Sequence, residues 1–214
     1  MNEERSIGLV LDEVKAAMGA SEHEVLVIDT NSKDRTREIA ASKGAVVIDE
    51  PRRGYGRAYK TGFERANGEV IATLDADLTY PASDIPALVE MLDSKALDFI
   101  TTNRFARMEK GAMSAKHRFG NWVLSATMRL LFRAKVKDSQ SGMWVFRRSI
   151  LPKLALESDG MAMSEELKAE AFKKVRAAEV PIAYRPRVGE VKLSSWKDGF
   201  GNLRFLFHKR FRSH

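Results

Sequence analysis

Two carboxylates spaced i, i+2, Asp75 and Asp77, lie near the end of the run Val70-Ile71-Ala72-Thr73-Leu74-Asp75-Ala76-Asp77-Leu78-Thr79-Tyr80-Pro81. The apolar part has the length of a buried strand, and Pro81 stops any pairing beyond it. If strand geometry persists through Ala76, both side chains point the same way, about 6–7 Å apart along the backbone. They can then share one hard cation, and a divalent ion held by only two carboxylates keeps room for substrate phosphates. In open α/β sheets, ligands gather beyond the carboxyl ends of the strands, where this pair would sit. Asp is also common in turns, and the residue types alone leave both readings open.

The elements that must carry this pair alternate. Ile7, Val10, Leu11, Val14 and Met18 recur at helical spacing, with Glu3 and Glu4 near the positive end. Glu24 to Ile28 reads as a buried strand running into the turn-rich loop Asp29 to Asp34. A short helix then closes at Gly44, Ala45 to Ile48 is the next strand, and a helix follows Arg52-Arg53-Gly54-Tyr55-Gly56-Arg57. After Pro81 come a helix (Ile85 to Leu92) and a strand (Leu97 to Thr101). Such alternation predicts an α/β fold with a mostly parallel central sheet flanked by helices.

The second half changes character. Arg104, Arg107, Lys110, Lys116, His117 and Arg118 suggest a mobile basic loop before an apolar helix from about Phe119 to Arg133. Asp138-Ser139-Gln140-Ser141-Gly142 leads into the strand Met143 to Phe146, and Glu165 and Glu166 open a helix from Ser164 to Lys174. Val180 to Tyr184 reads as an edge strand because it contains Pro181. The tail places Phe200, Leu203, Leu206, Phe207 and Phe211 on one side of a helix with a cationic remainder, the pattern of an interfacial helix or of one docked on its own domain.

Composition narrows the classes. At 214 residues, with 44% hydrophobic residues and both charges mixed, the chain has the makings of one folded domain. There is no cysteine, which excludes disulfides, thiolate metal sites and cysteine nucleophiles. No apolar run reaches the roughly 18 residues of a membrane span. The formal net charge of +7 suits nucleic acid, phosphorylated ligands or an anionic membrane surface.

Five stretches in order carry a resemblance: Asp29 to Thr36, Arg53-Gly54-Tyr55-Gly56, Asp75 to Pro81, Asp138 to Gly142, and Arg187-Val188-Gly189-Glu190-Val191-Lys192-Leu193. Together they resemble family 2 glycosyltransferases of the GT-A fold, most closely the dolichol-phosphate mannose synthase branch. The resemblance implies a GT-A domain over residues 1–193, a basic amphipathic tail helix over 194–214, and inverting transfer of a sugar. The donor would be a GDP- or UDP-sugar and the acceptor a polyprenyl or dolichyl phosphate, at the cytoplasmic membrane face and peripheral to the membrane. Carried over by position, Asp29, Gly54, Asp75, Ala76, Arg187 and Lys192 meet the nucleotide. Asp75, Asp77 and Gln140 hold Mg²⁺ or Mn²⁺, and Arg118 and Arg129 grip the acceptor phosphate. Thr30 stands where relatives usually have a second Asp, which leaves the base open.

The chemistry agrees with this implication. A departing nucleoside diphosphate develops negative charge that a divalent ion and fixed cations can stabilise. A phosphate monoester is already anionic near neutral pH, so the nucleophile needs positioning more than deprotonation. No dedicated base is expected, and Glu165 and Glu166 would serve a helix N-terminus. A hydroxyl acceptor would instead make Glu165 or Asp138 the candidate base. A nucleic-acid partner is disfavoured because the carboxylate motif repels phosphates without metal.

One departure from the family stands out. Relatives begin with an apolar strand and Pro before Asn-Glu, here Asn2-Glu3, so the chain looks N-terminally truncated and its recorded start internal to a longer frame. Loss of that strand would leave adjacent strands without ladder partners, at a cost of several kcal/mol, and could leave a weak or inactive sugar-nucleotide-binding protein.

Overall fold

The computed structural model describes residues 1–189 and 195–212. Lys192, expected at the diphosphate, lies outside the described residues. The first half comprises α1 (Ile7–Met18), β1 (Leu26–Asp29), α2 (Thr36–Ser42), β2 (Val46–Asp49), α3 (Tyr55–Arg65), β3 (Val70–Ala72) and α4 (Ile85–Ser94). Then follow β4 (Phe99–Met108), α5 (Ala115–Phe132), β5 (Trp144–Arg147), α6 (Met163–Lys174), β6 (Ala177–Tyr184) and α7 (Ser195–Arg212).

The expected α/β layering is present, with a difference in pairing. β1 and β2 form a two-stranded parallel sheet, and the other strands form a second sheet in the order β3-β5-β4-β6. β5 runs antiparallel to β3 and β4, so this sheet is mixed rather than mostly parallel. Trp144 pairs with Thr101 and Phe146 with Phe99, so the chain re-enters at the end where β4 left and must run backwards. Among the described residues no ladder joins β1 or β2 to the other strands. β6 is an edge strand, as Pro181 requires.

The four-stranded sheet is covered on both faces because its apolar residues alternate. Trp144 and Phe146 face a cluster with Phe63, Phe99, Met163 and Leu167, while Met143 and Val145 face one with Ile85, Leu88, Leu92 and Ile182. Helix α3 bridges the two sheets. Tyr59 and Phe63, one turn apart, lie 4.7 Å from Trp144 and 5.3 Å from Phe146, ring centre to ring centre. On the β1 side, a Cβ added at Gly62 would stand 3.3 Å from the Ile28 side chain. A larger residue there would push the helix off β1.

Two local expectations change. The segment read as a mobile basic loop is largely ordered: β4 runs on to Met108 beside β6, and α5 begins at Ala115. Ser114 caps α5 by accepting a hydrogen bond from the His117 backbone at 3.3 Å, which the charge-rich composition had concealed. The apolar residues of α7 divide between two faces. Leu206 is buried and Leu203 packs with it against Leu124 and Met128, whereas Phe200, Phe207 and Phe211 form an exposed stripe. Lys209 anchors the inner face, reaching Glu166 Oε1 at 2.6 Å and the Ala155 carbonyl at 2.8 Å. Among the described residues no helix is long and apolar enough to cross a membrane.

Candidate active site

β3 ends at Ala72, so the strand does not continue through Ala76 as the simplest placement of Asp75 and Asp77 required. The chain instead turns, with Leu78 in the left-handed region at φ 67°. The two carboxylates nevertheless feel each other. Desolvation first, and the Asp77 charge second, push the Asp75 carboxyl up to about 7. Tyr59 donates its hydroxyl to Asp75 Oδ1 at 3.3 Å. Asp77 Oδ1 accepts from the Thr79 backbone and hydroxyl at 3.1 and 2.6 Å, and Oδ2 accepts from Arg187 at 2.8 Å. The Ala76 carbonyl accepts from Ser6 at 2.7 Å, which ties the start of α1 to this turn.

The Asp138–Gly142 loop lies directly against the pair. A Cβ added to Gly142 would stand 3.5 Å from both Asp75 carboxylate oxygens and 2.6 Å from the Tyr55 hydroxyl, so a larger residue would displace the tyrosine tip or the loop. The loop is held from below by buried polar groups. Asp138 is fully buried and receives Arg104 Nε at 2.7 Å, Nη2 at 2.8 Å and the Arg104 backbone N–H at 3.0 Å. Burial pushes its carboxyl up, but the guanidinium overrides this and holds it below the usual range. The Lys168 ammonium donates to the Ser139 and Ser141 carbonyls, both at 2.7 Å, and to Ser164 Oγ at 2.9 Å. Desolvation is the main cause that draws this amine down to about 7.

Of the outer groups expected at the site, Arg187 touches this centre. Arg187 bridges Asp77 and Glu3, so Glu3 serves as an ion-pair partner and not in the first turn of α1. The Arg185 and Val188 amides bond the Thr79 and Asp77 carbonyls at 3.0 and 3.1 Å, which seats this segment on the carboxylate turn. Asp29 ends β1 with its carboxylate accepting from the Ser32 amide at 3.0 Å, from the Ser32 hydroxyl and from Arg37 at 3.3 Å. Gly54 precedes α3 at φ 152°, and Gly56 packs where a Cβ would meet the Ser158 carbonyl at 2.5 Å. Arg118 and Arg129 come together with Lys137 on a cavity of about 760 Å³, whose other walls include Phe105, Phe119 and Trp122. Through Lys137 and Phe105 the cavity abuts the Asp138–Arg104 pair.

Neither glutamate of α6 is placed as an exposed base. Glu165 is fully buried, and desolvation pushes its carboxyl up to about 8 against the pull of Lys168, Ser139 and Gln140. Glu166 accepts from the Glu157 and Ser158 amides at 2.9 and 2.8 Å and pairs with Lys209. Sequence reasoning missed Arg104, Lys168, Tyr59 and Tyr80, the last of which accepts the Gly142 amide at 2.7 Å. Tyr55, Tyr59 and Phe63 at i, i+4 spacing were a signal for a helix face aimed at the site. Arg104 carried none, because a buried arginine looks like any other before its partner is known.

The oxygen donors of Asp75, Asp77 and Gln140 fit a hard divalent cation. A desolvated Asp75 carboxylate whose proton affinity the Asp77 charge raises further is what such a cation relieves, and the close approach of Gly142 keeps bulk away from it. Among the described residues no group of three or more His, Cys, Asp or Glu could serve instead.

Fold and site together fit a glycosyltransferase. The profile of glycosyl transferase family 2 matches residues 1–155, so the chain belongs to this family and carries the GT-A glycosyltransferase fold. It is 39% identical to a low-salt glycan biosynthesis hexosyltransferase of Haloferax volcanii over 96% of its own length and 51% of the relative's. It thus spans about half of that relative. A dolichyl-phosphate hexose transferase of the same organism is 34% identical, with 92% of this chain and 85% of the relative covered. Glucosyl-3-phosphoglycerate synthase from Mycobacterium tuberculosis, solved with Mn²⁺, UDP and glucosyl-3-phosphoglycerate, superposes with a TM-score of 0.76 at 20% identity. That match covers 98% of this chain and 76% of the synthase.

Proposed function

We propose that the chain transfers a hexosyl group from a nucleoside diphosphate sugar to a polyprenyl phosphate, with inversion at the anomeric carbon. The observation that carries this reading is the cavity where Arg118, Arg129 and Lys137 stand among Phe105, Phe119 and Trp122 beside the Asp138–Gly142 loop. Cations set among aromatic rings suit an anionic head joined to an apolar chain. The names of relatives support the same acceptor class: a dolichyl-phosphate hexose transferase and a dodecaprenyl-phosphate galacturonate synthase.

In this reading Asp75, Asp77 and Gln140 hold Mg²⁺ or Mn²⁺, which when bound supplies a Lewis acid for the charge on the leaving diphosphate. Arg187 (and Lys192) meets that diphosphate, while Asp29 and Gly54 border the nucleoside. An acceptor phosphate oxygen forms the new bond to the sugar as the bond to the diphosphate breaks, and Arg118 and Arg129 fix its approach. No proton has to leave the nucleophile, which agrees with the commitment of Asp138 to Arg104 and of Glu166 to Lys209. Phe119 and Trp122 on α5 and the Phe200, Phe207 and Phe211 stripe on α7 are exposed, and α5 packs on α7. With the positive charge of the chain, these support a peripheral seat on an anionic membrane, where such an acceptor resides.

A thermal-shift screen of UDP- and GDP-sugars with and without Mn²⁺, followed by transfer to a short polyprenyl phosphate, tests the proposal. Mn²⁺-dependent stabilisation by one sugar nucleotide, with transfer lost in Arg118→Ala and Arg129→Ala, is expected. Transfer to phosphoglycerate and none to the lipid phosphate would overturn the acceptor.

A further inference from the structure

Gln140 is the one expected metal ligand whose donor atom depends on which way its side chain is turned. A side-chain amide offers a hard cation its oxygen and not its nitrogen, so the end that faces the carboxylates decides whether the residue can bind. Two contacts fix how the amide is turned. The amide nitrogen points back toward Ser139 Oγ, at 3.5 Å. The amide oxygen accepts a hydrogen bond from Asn202 Nδ2 at 3.1 Å. Asn202 comes from α7, 62 residues further along the chain, and is only 4% exposed.

We propose that Asn202 is a positioning residue that orients the Gln140 amide, so that α7 forms part of the support of the metal site. This rests on the assignment of Gln140 as a ligand. An amide oxygen has two lone pairs; Asn202 occupies one and leaves the other for a cation. The anchoring of α7 fits such a role. Leu206 is buried against α5, and Lys209 is fixed to Glu166 and the Ala155 carbonyl, so Asn202 is held from a helix that cannot easily slide. Partners one shell out from a metal ligand commonly change affinity 10–100-fold when removed.

The test is a double-mutant cycle read by Mn²⁺ binding to the full chain, with free Mn²⁺ followed by electron paramagnetic resonance. Asn202→Leu removes the donor at similar size, and Asn202→Ser, too short to reach, serves should the leucine variant fail to fold. Gln140→Ala removes the ligand. About tenfold weaker Mn²⁺ binding is expected in Asn202→Leu or Asn202→Ser, with circular dichroism unchanged. A similar or larger loss is expected in Gln140→Ala, and no further loss when the two are combined. Undiminished affinity in a folded Asn202 variant, beside a weakened Gln140→Ala, overturns the positioning role alone. So does a loss that simply adds to that of Gln140→Ala, because it reports a general loosening of α7. Undiminished affinity in Gln140→Ala, or no Mn²⁺ binding by the parent chain, overturns the ligand assignment and this inference with it.

Discussion

Arg104 grips Asp138 through two guanidinium nitrogens, at 2.7 and 2.8 Å, and Asp138 has no access to water. Removing one partner of such a buried pair strands the other charge. Arg104→Met is therefore expected to lose about 3–5 kcal/mol in urea unfolding. The double variant Arg104→Met/Asp138→Leu should recover a large part of that loss, and no recovery would show that the pair is not the source.

Asp75→Asn should separate folding from metal binding. It removes one of two like charges that oppose each other in a desolvated turn, so the melting temperature should hold or rise, while Mn²⁺ binding falls below detection. A marked fall in melting temperature in metal-free buffer would show that the Asp75 charge is balanced by the protein itself.

Gly142→Ala brings a methyl group to 2.6 Å from the Tyr55 hydroxyl and 3.5 Å from the Asp75 oxygens. The tyrosine tip or the loop must shift. Sugar transfer is expected to fall at least tenfold with secondary structure unchanged by circular dichroism, and unchanged turnover would remove Gly142 from the site.

Glu165→Gln tests whether the nucleophile needs a base. Loss of a general base typically costs 10²–10⁴ in rate, whereas an anionic phosphate acceptor requires none, so turnover should fall by less than tenfold. The single variant is the sharper choice, because Glu166 also secures two backbone amides and Lys209.

Lys168 predicts a slope of stability with pH. Folded, its amine titrates near 7; unfolded, near the ordinary 10.5. Between those values the unfolded chain holds the extra proton, so raising the pH favours the fold, and the full cost of the buried charge is felt below pH 7. The groups facing the ammonium are Asp138, Glu165 and Glu179, which favour its charge, and Arg104, which opposes it. Glu165, pushed up to about 8, acts in the opposite sense and has largely ionised above that value. From pH 8 to 10 the melting temperature of the natural chain should therefore climb relative to Lys168→Met. Parallel curves would contradict the depressed amine.

The layering was legible in the sequence because it depends on local pattern. Val70 to Ala72 and Val46 to Asp49 announce themselves by apolar runs between turn residues, and Pro181 marks its strand as an edge. The reversal of β5 was not legible, since nothing in Trp144 to Arg147 records which end of the sheet the chain returns to. Nor was the floor of the site. Arg104 and Lys168 look like surface charges until the Asp138 carboxylate and the Ser139 and Ser141 carbonyls are brought to them from tens of residues away. Long-range pairing of buried ions is set by the tertiary fold, and single-residue propensities carry no trace of it.

The pair β1 and β2 stands as a ribbon of its own, and Val46 on it is 55% exposed. A narrow ribbon of Leu-Val-Ile-Asp against Val-Val-Ile-Asp offers backbone donors and acceptors along its outer margins. Self-association of this chain at high concentration should begin there, and a lysine placed at Val46 would be the first remedy for precipitation.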